Sequence, residues 1–131
     1  MILLDTHALV WWRDSTAKLS NNAQAAIAKE ANNGTIVVSS FSFWEIALLV
    51  EHQRLALPSD LQTWLADVEA TNRMRFIPVD NRIAIASVQL PAGLHKDPAD
   101  RILVATAMLL DIPIVTADKK MHAYPHVRTI W

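Results

Sequence analysis

The sequence predicts an α/β fold, a parallel sheet flanked by helices on both faces. Short apolar runs alternate with longer stretches of helical periodicity along the chain. Several runs, such as IVV at 36–38 and IPIV at 112–115, are continuously apolar, as strands covered on both faces are. The 131 residues are 52% hydrophobic and 19% charged, which fits one well-filled core and excludes a disordered chain. Residues 1–131 are therefore read as one domain.

The elements follow in order. MILL (1–4) is a first strand ending in the polar triplet Asp5-Thr6-His7, and ALVWWRD (8–14) starts a helix. Ser20 caps an alanine-rich helix that Gly34 stops. TIVVSS (35–40) is a second strand, and FSFWEIALLVEHQ (41–53) a helix. PSDLQTWLADVEA (58–70) is a further helix with Ser59 as its cap. MRFIPV (74–79) is a strand, and DNRIAIASVQ (80–89) a helix capped by Asp80. The long helix PADRILVATAMLL (98–110) is expected to pack on the sheet through Ile102, Leu103, Ala105, Thr106, Leu109 and Leu110. IPIVTAD (112–118) and VRTIW (127–131) are strands on either side of a helical turn, KKMHAY (119–124). No repeat, low-complexity tract or linker interrupts this order.

Composition narrows the function. There is no cysteine, which excludes disulfides and thiolate metal sites and points to the cytoplasm. No apolar run reaches the ~20 residues of a membrane span, and MILLDTHALVWW lacks a basic n-region, so neither a membrane nor export is expected. The net charge of −1 supplies no global basic footprint for nucleic acid. Any metal must be held by oxygen or imidazole.

In a parallel sheet of this kind, the functional crevice lies beyond the carboxyl ends of the strands. Asp5 follows strand one; Ser39 and Ser40 follow strand two and lead into the helix carrying Glu45; Thr116 and Asp118 follow the IPIV strand. Asp97 and Asp100 stand at the start of the long helix. Helix capping alone accounts for Asp5, Asp97 or Asp118 taken singly. Glu45 is different. Its neighbours Phe41, Phe43, Trp44, Ile46, Ala47, Leu48, Leu49 and Val50 leave it no polar face, so the helix is expected to be buried all round. A buried carboxylate then needs a cation, a metal or a proton. Clustered acids without cysteine suit Mg²⁺ or Mn²⁺, which acidify water and stabilise phosphoryl charge. The expected chemistry is metal-dependent phosphodiester hydrolysis, with Thr6, Ser39 and Thr116 orienting ligands or waters.

ILLDTH, SSFSFWEIA, HKDPADRILVATA and IVTADKKM resemble, in order and spacing, the four acidic motifs of the PIN domain. They are most similar to its VapC-type ribonuclease toxins, and the resemblance runs from residue 2 to about 121. It implies a PIN-like (Rossmann-like) sheet and a Mg²⁺- or Mn²⁺-dependent endoribonuclease, a homodimer silenced by a cognate antitoxin. It implies Asp5, Glu45, Asp100 and Asp118 as ligands and catalytic acids. By the same resemblance Asp97 reverts to capping, with an outer contact to the site, and Thr116 matches the hydroxyl preceding the fourth acid.

Lys96, Arg101, Lys119 and Lys120 lie beside the acids in sequence and are read either as phosphate contacts or as solvated helix-end charge. His7 and His95 are read as hydrogen-bonded structural residues or as phosphate-binding groups. Trp11 and Trp12 are adjacent, so one is expected to leave the core for a groove or a dimer contact. Rivals fare worse. A haloacid-dehalogenase-like phosphatase needs an aspartate where His7 stands, and a receiver domain needs paired acids after strand one. A nuclease for DNA and a non-catalytic interaction module remain as alternatives.

Overall fold

Strand β1 (Ile2–Leu4) lies at the centre of a five-stranded sheet ordered β3-β2-β1-β4-β5, with every pairing parallel. β2 is Ile36–Ser39, β3 Met74–Ile77, β4 Ile114–Val115 and β5 Thr129–Ile130. The helices are α1 (Thr6–Asp14), α2 (Asn21–Asn33), α3 (Ser40–Glu51), α4 (Leu61–Glu69), α5 (Asn81–Val88), α6 (Pro98–Leu110) and α7 (Lys119–His122). A computed structural model describes all residues, 1–131.

Alternation along the strands builds two cores from one sheet. Ile2, Leu4, Ile36, Val38 and Val115 join Leu9, Ile27, Ile46, Trp64 and Val68 on one face. Leu3, Val37 and Ile114 join Leu103, Val104, Ala107, Met121 and Tyr124 on the other. Because successive side chains of a strand point to opposite faces, both faces need helices, and the apolar runs follow from that.

The strand order reverses at β1. Its neighbour on one side is β2 and on the other β4, with Leu4 paired to Val38 and to Val115. The residues that follow β1 and β4 therefore flank a switch point, where a crevice opens.

Four expectations need correction. The cap of α4 is Asp60, not Ser59: its carboxylate accepts from the Thr63 N–H at 3.0 Å and the Thr63 hydroxyl at 2.7 Å. Ser59 stands one residue too early for that geometry. Helix α3 is not buried all round; only Ser42 and Ile46 are, while Trp44 is 56% exposed and Leu48 38%. Its apolar outer face meets solvent. α6 buries Leu103, Val104, Ala105, Thr106 and Ala107, with Leu103, Val104 and Ala107 in the cluster of the sheet residues Leu3, Val37 and Ile114, whereas Leu109 points outward at 43% exposure. Trp11 and Trp12 both pack, half-buried, against the same core cluster, and Trp11, as expected of one of the pair, also lines a groove, the crevice at the strand ends. β4 is also shorter than its apolar run: Pro113 has no N–H, and its carbonyl alone joins the ladder, accepting from Leu3.

No helix is long and apolar enough to cross a membrane.

Candidate active site

Each acid arrives by a local rule. Asp5 ends β1 and caps α1, its Oδ1 accepting from the Ala8 N–H at 2.7 Å. Asp97 caps α6, with Pro98 at the first turn and the Asp100 N–H 3.2 Å from its carboxylate. Asp118 caps α7 and accepts from the Lys120 N–H at 2.8 Å. The capping reading was thus correct for all three, and it is compatible with a second role, since a cap uses one of two carboxylate oxygens.

What capping does not explain is convergence. A cavity of about 450 Å³ at the switch point is lined by Asp5, Glu45, Asp97, Asp100 and Asp118, together with Thr6, His7, Trp11, Leu103 and Ala117. No lysine or arginine lines it. Burial pushes the Asp5 carboxyl above its ordinary value, and the charge of Asp100 adds to the shift; the Thr116 hydroxyl and the Ala8 N–H oppose it. Burial likewise raises Glu45, with repulsion from Asp100 and Asp97 adding to it. Asp100 is raised by burial first, then by Asp97 and Asp118, against a hydrogen bond from His95. Asp100 is the electrostatic hub of the cluster.

The supporting side chains separate into those that touch an acid and those that do not. Thr6 donates to Glu45 Oε1 at 2.6 Å and sits 3.1 Å from the Ser42 hydroxyl. Thr116 touches Asp5 and accepts from the Asp118 N–H at 3.0 Å. Ser39 does not reach the acids; its hydroxyl caps α3 by accepting from the Phe41 N–H. Ser42, three residues before Glu45 and so on the same face of α3, takes the position expected of Ser39.

Arg101 is also reassigned. Its guanidinium donates to four backbone carbonyls, those of Ser87, Val88, Leu94 and His95, which leaves at most one N–H for a phosphate. Lys96, Lys119 and Lys120 are exposed, each within two residues of an acid that lines the cavity. His95 Nε2 lies 2.6 Å from Asp100 Oδ2, and ligand atoms of His95, Asp100 and Asp118 fall within 4.8 Å of one another. His7 is exposed on the cavity wall, its ring 5.6 Å from that of Trp11. The sequence could have offered Ser42 by helical spacing; the partner of His95 depends on a loop with no periodic signal.

The donor set is carboxylate oxygen with one imidazole, which is the chemistry of a hard divalent cation. Residues 2–127 match the family model described as PIN domain. The chain belongs to the PIN domain family. It is 31% identical over 132 aligned residues to Ribonuclease VapC22 of Mycobacterium tuberculosis (strain ATCC 25618 / H37Rv), spanning 99% of this chain and 98% of that protein. This PIN fold superposes on VapBC2 from Rickettsia felis, a complex bound to a DNA fragment from its promoter. The TM-score is 0.71 at 19% identity, over 98% of this chain and 97% of that one. It also superposes on Mycobacterium tuberculosis VapC20, a toxin that cleaves the sarcin-ricin loop, with a TM-score of 0.67 at 13% identity over 98% and 99% of the two chains. At these identities the superpositions establish the fold.

Proposed function

We propose that this PIN-family chain is a divalent-metal-dependent endoribonuclease and the toxin of a type II toxin–antitoxin pair. One observation carries the reading: five carboxylates converge in a cavity without a single lysine or arginine, in a chain similar along its whole length to a ribonuclease. Burial first, and repulsion from neighbouring acids second, raise the carboxyls of Asp5, Glu45 and Asp100, which supports a site that a divalent cation would compensate.

Asp5, Glu45, Asp100 and Asp118 are the residues that would hold Mg²⁺ or Mn²⁺. When bound, such an ion supplies charge neutralisation at phosphoryl oxygens and acidifies water at neutral pH. The protein's own part is positional. Thr6 fixes the Glu45 carboxylate, Thr116 steadies Asp5 and the start of α7, and Asp97 and His95 hold the backbone and side chain of Asp100. Lys96, Lys119 and Lys120, exposed and close in sequence to the cavity acids, would contact phosphates flanking the scissile bond and attract a polyanion to an otherwise acidic site. RNA is preferred to DNA as substrate on the strength of the VapC22 relative.

The antitoxin is assigned to the exposed apolar face of α3, where Phe41 and Trp44 lie ring to ring at 5.0 Å beside Leu48, next to Glu45. Neighbouring folds are toxin–antitoxin complexes, which supports such a partner. A second copy fits the apolar patch of Ile85, Val88 and Leu109 on α5 and α6, so a homodimer leaves α3 free. One PIN domain over 1–131, acting in the cytoplasm where its RNA resides, completes the reading.

Purified protein should cut a cellular RNA pool at discrete sites with Mg²⁺ or Mn²⁺, and not with EDTA or as Asp100→Asn. Cuts that persist in EDTA, or in the variant, would refute the mechanism.

A further inference from the structure

Residues 89–97 cross the flank of the cavity as a connection without helix or strand, yet they deliver His95 to within 2.6 Å of Asp100. Connections of this sort are ordinarily the softest part of a fold. This one is pinned. Arg101 Nε donates to the Ser87 carbonyl at 2.9 Å, and its terminal nitrogens reach Val88 at 3.3 Å, Leu94 at 3.3 Å and His95 at 3.4 Å. The first two carbonyls are orphans of the last turn of α5; the other two belong to the connection. Tyr124, itself buried, donates to the Pro91 carbonyl at 2.6 Å. Gly93, at φ +117°, lies against the Tyr124 ring, a backbone conformation that other residues rarely adopt.

The geometry points to Arg101 and His95 as a two-part positioning device for the Asp100 carboxylate, an inference that rests on the metal-dependent reading above. Arg101 holds the connection against α5; the connection holds His95; and the His95 Nε2–H donates to Oδ2 of Asp100, which leaves Oδ1 directed by the imidazole rather than free to rotate. Asp97 fixes the backbone of the same residue by accepting its N–H. Side chain and main chain of the hub acid are thus restrained from two directions. Arg101 has no carboxylate partner among the ion pairs of the protein. All three of its nitrogens donate to backbone carbonyls, a task for planar guanidinium and not for a point charge.

The test is Mn²⁺ affinity measured by titration calorimetry, with the thermal midpoint of the metal-free protein measured in parallel. His95→Ala is expected to weaken Mn²⁺ binding about tenfold, the scale on which outer partners of metal ligands act, with the apo midpoint in place. His95→Gln, whose amide N–H sits near the position of Nε2, should recover most of that loss. Arg101→Lys keeps the charge and loses the fork; it should weaken binding severalfold in the wild-type background and hardly at all in His95→Ala.

Affinity unchanged or tightened in His95→Ala would overturn the proposal, since His95 would then be idle or competing for the carboxylate. A Gln variant as weak as Ala would overturn it as well, making His95 a direct ligand. Independent losses that multiply in the double variant would remove Arg101 from the device. Should Arg101→Lys fail to fold, the Ala and Gln pair at His95 decides alone. Wild-type protein that binds no Mn²⁺ fails the ribonuclease reading first and this one with it, a result distinct from variants that bind as wild type does.

Discussion

The two flanks of the acidic cavity solve the same problem with different materials. On the α1–α3 flank, Glu45 is held by the Thr6 hydroxyl, itself against Ser42, and Asp5 by the Ala8 N–H and, from beyond β4, by the Thr116 hydroxyl. On the α6–β4 flank, Asp97, Asp100 and Asp118 stand at helix starts and lean on backbone N–H groups, an imidazole and a pinned connection. Hydroxyls tolerate burial and add no charge, so they suit Asp5, which is 8% exposed. The second flank is wetter, and there a ring N–H and helix termini can act without a large desolvation cost. One side of the site is therefore held mainly by buried hydroxyls and the other by an imidazole and helix-end N–H groups.

The largest expected effect ignores the difference. Asp5→Asn and Asp100→Asn, one from each flank, should each lower RNA cleavage by about a thousandfold, the scale of several kcal/mol of transition-state charge stabilisation. Single-turnover cleavage rates check this, and a loss confined to one flank would show that only one holds the ion.

Next comes a test of the first flank. Thr6→Val keeps the shape and removes the donor to Glu45, and should cost about 1–3 kcal/mol of stability or of metal affinity. Denaturant titration with and without Mn²⁺ separates the two, and Thr6→Ser should restore both.

The pH dependence follows from the raised carboxyls of Asp5, Glu45 and Asp100. A group whose folded value lies above its unfolded one favours folding while protonated, so the metal-free protein should lose stability as pH rises from the ordinary carboxyl range through these raised values. Saturating Mn²⁺, which binds the ionised forms, should reverse the trend. Thermal melts across that window, with Asp5→Asn as reference, measure it; a flat apo profile would mean that neither burial nor the neighbouring acids raise these carboxyls in the fold.

The smallest effect concerns the exposed cations beside the second flank. Lys119→Ala should leave folding within about 0.5 kcal/mol. If Lys119 contacts a phosphate, the salt slope of RNA binding should fall by about 0.7 for a single strand. Binding at several salt concentrations to Asp100→Asn protein decides it.

Much of this was legible in one dimension, and for reasons that differ by element. Strands β1 and β2, buried on both faces, were written as unbroken apolar runs, and Ser20, Asp80 and Asp97 announced helix starts because capping is a matter of spacing within one turn. The acids were legible because strand ends in a parallel sheet have a fixed destination. The failures share a cause. Arg101 looked like a phosphate ligand, α3 like a buried helix and Ser39 like a supporter of the site, since nothing in their local sequence tells which neighbour arrives from elsewhere in the chain.

By itself, then, the sequence determined the alternation of elements and the parallel sheet, which depend on periodicity, and the arrival of acids beyond the strand ends, which depends on order along the chain. Only the tertiary structure decided who supports them: the four carbonyls around Arg101, the placing of His95 on Asp100, and the choice of Ser42 over Ser39. A hydrogen bond is set by distance and angle in space, and a few tenths of an ångström between segments far apart in the chain leave no trace in the pattern of residues.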